Sequence, residues 1–398
     1  MQSFRSRFVA AVIGLAAAAA ATAADKPLKV YILAGQSNMQ GHASVTTFDS
    51  LADDPKTAPL LKVMRGPDGK PKACENVWIT SVGCQGDAYS DLREAKGQLT
   101  IGYGAPNGKI GPEYTFGLTM EARGAGPVLL IKTSWGGRSL HTDFRPPSGG
   151  PFAWNDADLE RRQKRGDDIA KLKAEKVAAT GVYYREMIEH VKHVLADVKR
   201  VVPTYDAKAG YELAGFVWFQ GFNDLVDGGV YPDRAKAGGF DTYAELLGHF
   251  IRDVRKDLAA PKLPFVIGVM GIDGLAGNAK PPMANFRAAQ RKVAALPEFQ
   301  GSVFAVETAP FWDDDLDALK SKMDRLNDKL NAEFKKDPKL TREAKEAAKT
   351  KVVDAAFTPE EQKRLKAGVS NGGYHYLGAA KIMAPIGVAF AEALLPKP

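Results

Sequence analysis

Five short apolar runs punctuate the chain, at residues 29–34, 127–133, 213–219, 265–270 and 303–307. Each is hydrophobic almost without interruption, the pattern of a strand buried on both faces rather than one with a wet side. Between them the period changes. Tyr243, Leu246, Leu247, Phe250, Ile251, Val254 and Leu258 follow i, i+3, i+4, i+7 spacing, as do Tyr184, Met187, Ile188, Val191, Leu195 and Val198. That spacing places each set on one face of a helix. Further helices are expected after Pro112, through residues 286–295, and after His375. Strands alternating with helices predict an α/β fold with a five-stranded parallel sheet covered on both faces. In such sheets the functional loops follow the carboxyl ends of the strands.

Three stretches are too long for simple connections. Residues 40–112 are rich in Gly, Pro, Asp and Lys, residues 138–178 begin as loop and become charged and helical, and residues 309–370 carry an acidic cluster followed by charged helix. All three read as insertions in a single domain spanning 24–398.

The first 23 residues have a different character. Arg5 and Arg7 precede an apolar, Ala-rich stretch that ends in Ala21-Thr22-Ala23. A basic start, a short apolar centre and small residues at the end describe a secretory signal, so the mature protein is expected to be secreted or periplasmic. Two of the charges behind the net +7 and the pI of about 9.1 lie in that leader. The rest are interleaved with acids. Arg161, Arg162, Lys164 and Arg165 are flanked by Asp156, Asp158, Glu160, Asp167 and Asp168. This is a solvated helix face rather than a nucleic-acid patch. An exported chain permits a disulfide, and its only cysteines, Cys74 and Cys84, share one polar stretch, so a local bridge is expected.

The candidate chemistry lies in four segments. Gly35-Gln36-Ser37-Asn38-Met39 ends the first apolar run and sets a Ser hydroxyl at the mouth of the sheet, where a nucleophile can be exposed. Ser134-Trp135-Gly136-Gly137-Arg138 ends the second, and paired glycines let a backbone N–H approach a ligand. Trp218-Phe219-Gln220-Gly221-Phe222-Asn223-Asp224 ends the third, offering an amide donor in Gln220 and a carboxylate in Asp224. Asn371-Gly372-Gly373-Tyr374-His375 precedes the final helix and supplies a His able to act as a base toward Ser. His42 and His141 lie in loops after strands, where they can touch substrate.

Taken in this order, the segments resemble the SGNH-type hydrolases, in particular the sialate O-acetylesterase-like branch that includes carbohydrate esterase family six. The resemblance implies a flavodoxin-like three-layer α/β/α sandwich and a serine esterase that removes O-acetyl groups from carbohydrate. It implies Ser37 as nucleophile and His375 as base. The oxyanion donors would be the Ser37 N–H, the N–H of Gly136 or Gly137, and the Gln220 side chain. Gln36, Asn38, Arg138 and Asn223 would touch an acetylated glycan. No metal or cofactor, no nucleic acid and, after leader removal, no membrane are implied; the oligomeric state is left open. Two positions depart from the pattern. The Asp often found three residues before the histidine is Gly372 here, and the Glu that some relatives carry after Gln-Gly is Phe222. The expected substitute acid is Asp224, with Glu307 or a backbone carbonyl as alternatives. A binding protein with weak or no catalysis on the same scaffold is the rival reading.

Overall fold

The computed structural model describes residues 26–85, 92–337 and 339–396. The expected leader, residues 1–23, lies outside them. Seven strands form one sheet: β1 (Leu28–Gly35), β2 (Val77–Val82), β3 (Ala95–Gln98), β4 (Val128–Ser134), β5 (Tyr211–Phe219), β6 (Phe265–Val269) and β7 (Val303–Glu307). Their order is β3-β2-β4-β1-β5-β6-β7. All neighbours pair in parallel except β2 and β3, which are antiparallel.

The expected five-stranded, purely parallel, flavodoxin-like sheet is thereby corrected to a mixed, mostly parallel one of seven. The two extra strands come from 40–112, read as loop. β2, Val-Trp-Ile-Thr-Ser-Val, is buried along its whole length. β3, Ala-Lys-Gly-Gln, is a short edge strand whose residues alternate between half-buried and exposed. A short polar edge strand lacks the continuous apolar signature of a central one, and such an edge resists pairing with other chains.

The sheet is the middle of three layers. On one face lie the helices Pro112–Ala122 and Ala380–Leu394, with Phe116 against Tyr31 at 5.2 Å and Phe390 against Phe219 at 5.2 Å between ring centroids. On the other lie Val182–Ala196, Asp241–Asp257 and Pro281–Ala294. There Phe250 packs on Trp218 at 4.3 Å and Tyr184 on Phe250 at 5.6 Å. Trp218 and Phe219 are neighbours in β5 and point to opposite layers, as strand alternation requires. The two helices on the first face approach closely: the Thr115 hydroxyl donates to the Ala384 carbonyl at 2.7 Å, and a Cβ added at Gly387 would fall 2.2 Å from that hydroxyl oxygen.

The charged stretch after β7 forms helices Asp314–Lys336, Arg342–Ala356 and Pro359–Gly368 around a small core of their own, built on Leu319, Phe357 and Leu365. The acidic cluster begins the first of these helices. Asp313 caps it by accepting the Leu316 N–H at 2.9 Å, and the acids of the first turn suit the positive end of the helix dipole. Among the described residues no helix is long and apolar enough to cross a membrane.

The cysteine bridge is also corrected: Cys74 and Cys84 are both free and buried. They flank opposite ends of β2. Six extended residues at about 3.3 Å each separate them by ~20 Å, far beyond the reach of a disulfide.

Candidate active site

β1 ends at Gly35, whose backbone lies close against that of β5. A Cβ at this position would meet the Phe219 carbonyl oxygen at 2.2 Å. The chain then turns into a single helical turn, Ser37–Gln40. Gln36, at the head of that turn, is buried and ties the ends of the two strands together. Its Oε1 accepts from Gly221 N at 3.0 Å, Asn223 N at 3.3 Å and Gln220 Nε2 at 3.2 Å, and its Nε2 donates to Asn223 Oδ1 at 2.8 Å.

Asp224 and Gln220 extend the same plate toward the loop after β4. The fully buried Asp224 carboxylate accepts the N–H groups of Leu140 (2.8 Å) and His141 (3.1 Å), the Tyr231 hydroxyl (3.0 Å) and Gln220 Nε2 (2.6 Å). Gln220 Nε2 also reaches the Arg138 carbonyl at 3.0 Å. Four donors therefore occupy the carboxylate, and three acceptors occupy the amide nitrogen. Both side chains are committed to shaping the loop that presents Gly136 and Gly137. Glu307 is equally committed, to Arg291 at 2.6 Å.

The loop after β4 comes directly over the serine. A Cβ built on Gly136 would lie 3.8 Å from Ser37 Cβ and 3.0 Å from Gln40 Oε1. Among the described residues, the N–H groups of Gly136 and Gly137 donate to no carbonyl or side chain. The floor beneath is held by a buried ion pair. Lys132 Nζ contacts Glu113 at 2.6 Å and donates to the Gln40 and Tyr103 carbonyls at 2.8 Å each, while the other Glu113 oxygen accepts Gly111 N–H at 2.8 Å. Arg138 is partly exposed, with its guanidinium 4.4 Å from the Tyr183 ring centroid and 3.5 Å from Asp143. Asn38 is buried, and its Oδ1 has no partner among the described residues.

His375 arrives on the turn Gly373–Gly378, which packs against the Ser37 turn. Two residues of this turn, Tyr376 (φ 52°) and Leu377 (φ 59°), hold left-handed backbone conformations. Side chains other than Gly adopt these at a cost, and such strain persists only where surrounding contacts impose it. Here the buried Tyr376 hydroxyl is fixed by Gly271 N–H and the Thr308 hydroxyl, both at 2.8 Å. The segment after Ser37 is stitched to the same turn. Ser44 N–H donates to Ser370 Oγ at 3.2 Å, and the His42 ring stacks on the His375 ring at 3.7 Å, the two planes nearly parallel at 4°.

Asn371 holds both rings. Its Oδ1 accepts Gly372 N–H at 2.7 Å and lies 3.1 Å from His375 Nδ1; its Nδ2 lies 3.2 Å from His42 Nδ1. The Gly372 donor identifies Oδ1 as the oxygen, which can only accept. His375 Nδ1 therefore carries a proton, and its Nε2 keeps a free lone pair. By the same reasoning His42 is protonated on Nε2, which is buried without a partner among the described residues. Burial, with help from Lys109, pushes the His375 pKa down to about 4. Burial first, then His375, Lys109 and Lys132, takes His42 down to about 3. Both rings are neutral at physiological pH, the state a base requires.

Residues 27–308 match the sequence family described as carbohydrate esterase, sialic acid-specific acetylesterase (SASA). The chain belongs to that family. No curated protein matches it. Among solved structures, a carbohydrate acetylesterase from Xanthomonas citri is similar at 16% identity and a TM-score of 0.38; the match covers 72% of this chain and 51% of that one, so the chain spans about half the length of that relative. A protein from Arabidopsis thaliana is similar at 17% identity and a TM-score of 0.38, covering 71% of this chain and 86% of that one.

The family match ends at residue 308, so His375 lies beyond it. Sequence reasoning singled out His375 as a candidate from its place before the last helix and gave no role to Asn371 four residues earlier. An Asn in an Asn-Gly-Gly turn reads as a turn former. The available signal was indirect: both usual acid positions are empty, while a polar side chain stands within one helical turn of the histidine. His141, noted as a loop residue, sits 3.2 Å from Asp227, and that contact holds the Asp227 pKa down at about 2.

Proposed function

We propose that this carbohydrate esterase is an exported serine O-acetylesterase, with Ser37 as nucleophile and His375 as general base. The observation that carries this reading is the stitching of the Ser37 turn to the His375 turn, across more than three hundred residues of sequence, with the His375 Nε2 lone pair left free. In the mechanism, His375 Nε2 takes the Ser37 Oγ proton as Oγ attacks the acetyl carbonyl carbon. The carbonyl oxygen becomes an oxyanion received by the N–H groups of Ser37 and Gly136. When the tetrahedral species collapses, the C–O bond to the sugar breaks and His375 returns the proton to the sugar oxygen. Water, deprotonated by His375, then attacks the acetyl-serine; on collapse the acyl C–O bond to Ser37 breaks, His375 returns the proton to Ser37 Oγ, and acetate leaves.

Aryl acetate hydrolysis tests the proposal. Ser37→Ala should lower kcat by roughly 10⁴-fold or more with an unchanged circular dichroism spectrum. Full activity in that variant ends the reading. One observation favours the rival reading, a glycan-binding protein without turnover: the group bonded to His375 Nδ1 is an uncharged amide. Saturable binding of acetylated oligosaccharides with no acetate released from any of them would support it. A chain-length series of aryl esters separates an acetylesterase, which should reject butyrate, from a general acyl esterase.

A further inference from the structure

Resting on the assignment of His375 as base, we propose that Asn371 is the positioning residue of this site. In this role it fixes the tautomer and ring plane of His375 in place of the carboxylate used elsewhere, with His42 clamped by the same side chain as a stacking platform. Three observations converge. Asn371 Oδ1 is the acceptor at His375 Nδ1. Asn371 Nδ2 is engaged by His42. The two imidazoles lie face to face at 3.7 Å. Among the described residues no carboxylate is hydrogen-bonded to His375 Nδ1, and Asp224 and Glu307 are bonded elsewhere.

An amide does half of what a carboxylate does. It holds the Nδ1–H tautomer, which keeps Nε2 available, but it supplies no charge to stabilise the imidazolium that forms during reaction. The stacked neutral ring of His42 offers its π-face to that cation instead. Among charged groups, Lys109 acts electrostatically on both rings and Lys132 on His42. On the far side, a Cβ on Gly373 would lie 4.0 Å from Asp317 Oδ1. Tyr374 meets the His375 ring edge-on at 4.4 Å. Burial, with Lys109 adding to it, leaves the base weak and still unprotonated at mildly acidic pH.

The decisive variant is Asn371→Asp, close in shape to the native residue. Its Oδ1 still accepts Gly372 N–H. The His42 proton can move from the unpartnered Nε2 to Nδ1 to meet the new oxygen, so the turn is expected to hold. The imidazole resonances of His375, followed by NMR across pH, should then titrate about one to three units higher than in the parent. The acid limb of kcat/KM for aryl acetate should move up by the same amount. Asn371→Ala should lower kcat by about 10- to 100-fold with KM within about twofold, and Asn371→Asp should recover much of that loss near neutral pH. An unmoved His375 titration in Asn371→Asp overturns the proposal, as do equal losses in both variants with the parental acid limb. The NMR readout does not need turnover. A parent protein that hydrolyses no ester, but whose His375 titrates higher in Asn371→Asp, would sink the esterase reading and uphold the positioning role.

Discussion

At the scale of single residues, the site is decided by which polar atoms are already taken. Gln220 and Asp224 look reactive in sequence because they end a strand at the sheet mouth. In the fold their hydrogen-bonding capacity is filled by Gln36, Tyr231, the Arg138 carbonyl and the 140–141 backbone. Ser37 and His375 were visible as candidates in the sequence because a strand end and a pre-helix loop put them there. Asn371 was not, because only three-dimensional contact distinguishes a turn Asn from one bonded to a ring. Gly136 gives a sharp test of the loop that covers the serine. Gly136→Ala would place a methyl 3.8 Å from Ser37 Cβ and 3.0 Å from Gln40 Oε1. Its backbone can accept a side chain, so Tm should change little. A crowded oxyanion position should cost about 10- to 100-fold in kcat, at or below the loss of one whole donor. Unchanged kcat would show that the acetyl oxygen sits elsewhere.

At the scale of elements, the strands that carry the site were readable and those that frame it were not. β1, β4, β5, β6 and β7 each carry a mostly apolar run, and β1, β4 and β6 are buried almost throughout. β2 is equally buried, but Gly, Pro and charged residues on either side hid it, and β3 has almost no apolar content. The β4 strand also contains Lys132, an anomaly for a buried strand that its ion pair explains. Lys132 holds the carbonyl of Gln40 at the end of the Ser37 turn. Lys132→Met should therefore destabilise the fold by about 3–5 kcal/mol, because it leaves the buried Glu113 without its cation, with only the Gly111 N–H to meet it. Adding Glu113→Gln should restore part of that loss. Chemical denaturation of the two variants checks this, and equal midpoints for Lys132→Met and the parent would refute it.

At the scale of the whole molecule, the histidines set an acid limit. His42, His375 and His190 have pKa values lowered to about 3, 4 and 4, in each case mainly by burial. The unfolded chain binds these protons near pH 6.5 while the folded one does not. Stability should therefore be fully present above about pH 6.5 and fall progressively as pH drops toward 4, the unfolded state holding more protons throughout that window. Glu94, drawn down to about 2 by Arg200 and Thr80 against the opposing effect of burial, adds a further loss below about pH 4.5. Thermal melts from pH 7.5 to 4.5 should show a steady decline in Tm, less steep in His190→Gln; a flat profile would contradict it. The sheet order has a kinetic consequence as well. The strand bearing Ser37 is flanked by partners that begin at Val128 and Tyr211, so an emerging polypeptide must shelter that greasy segment for a long time before its neighbours exist. Regain of turnover after dilution from urea should lag the recovery of tryptophan fluorescence, and a holdase chaperone should raise the final yield more than the rate.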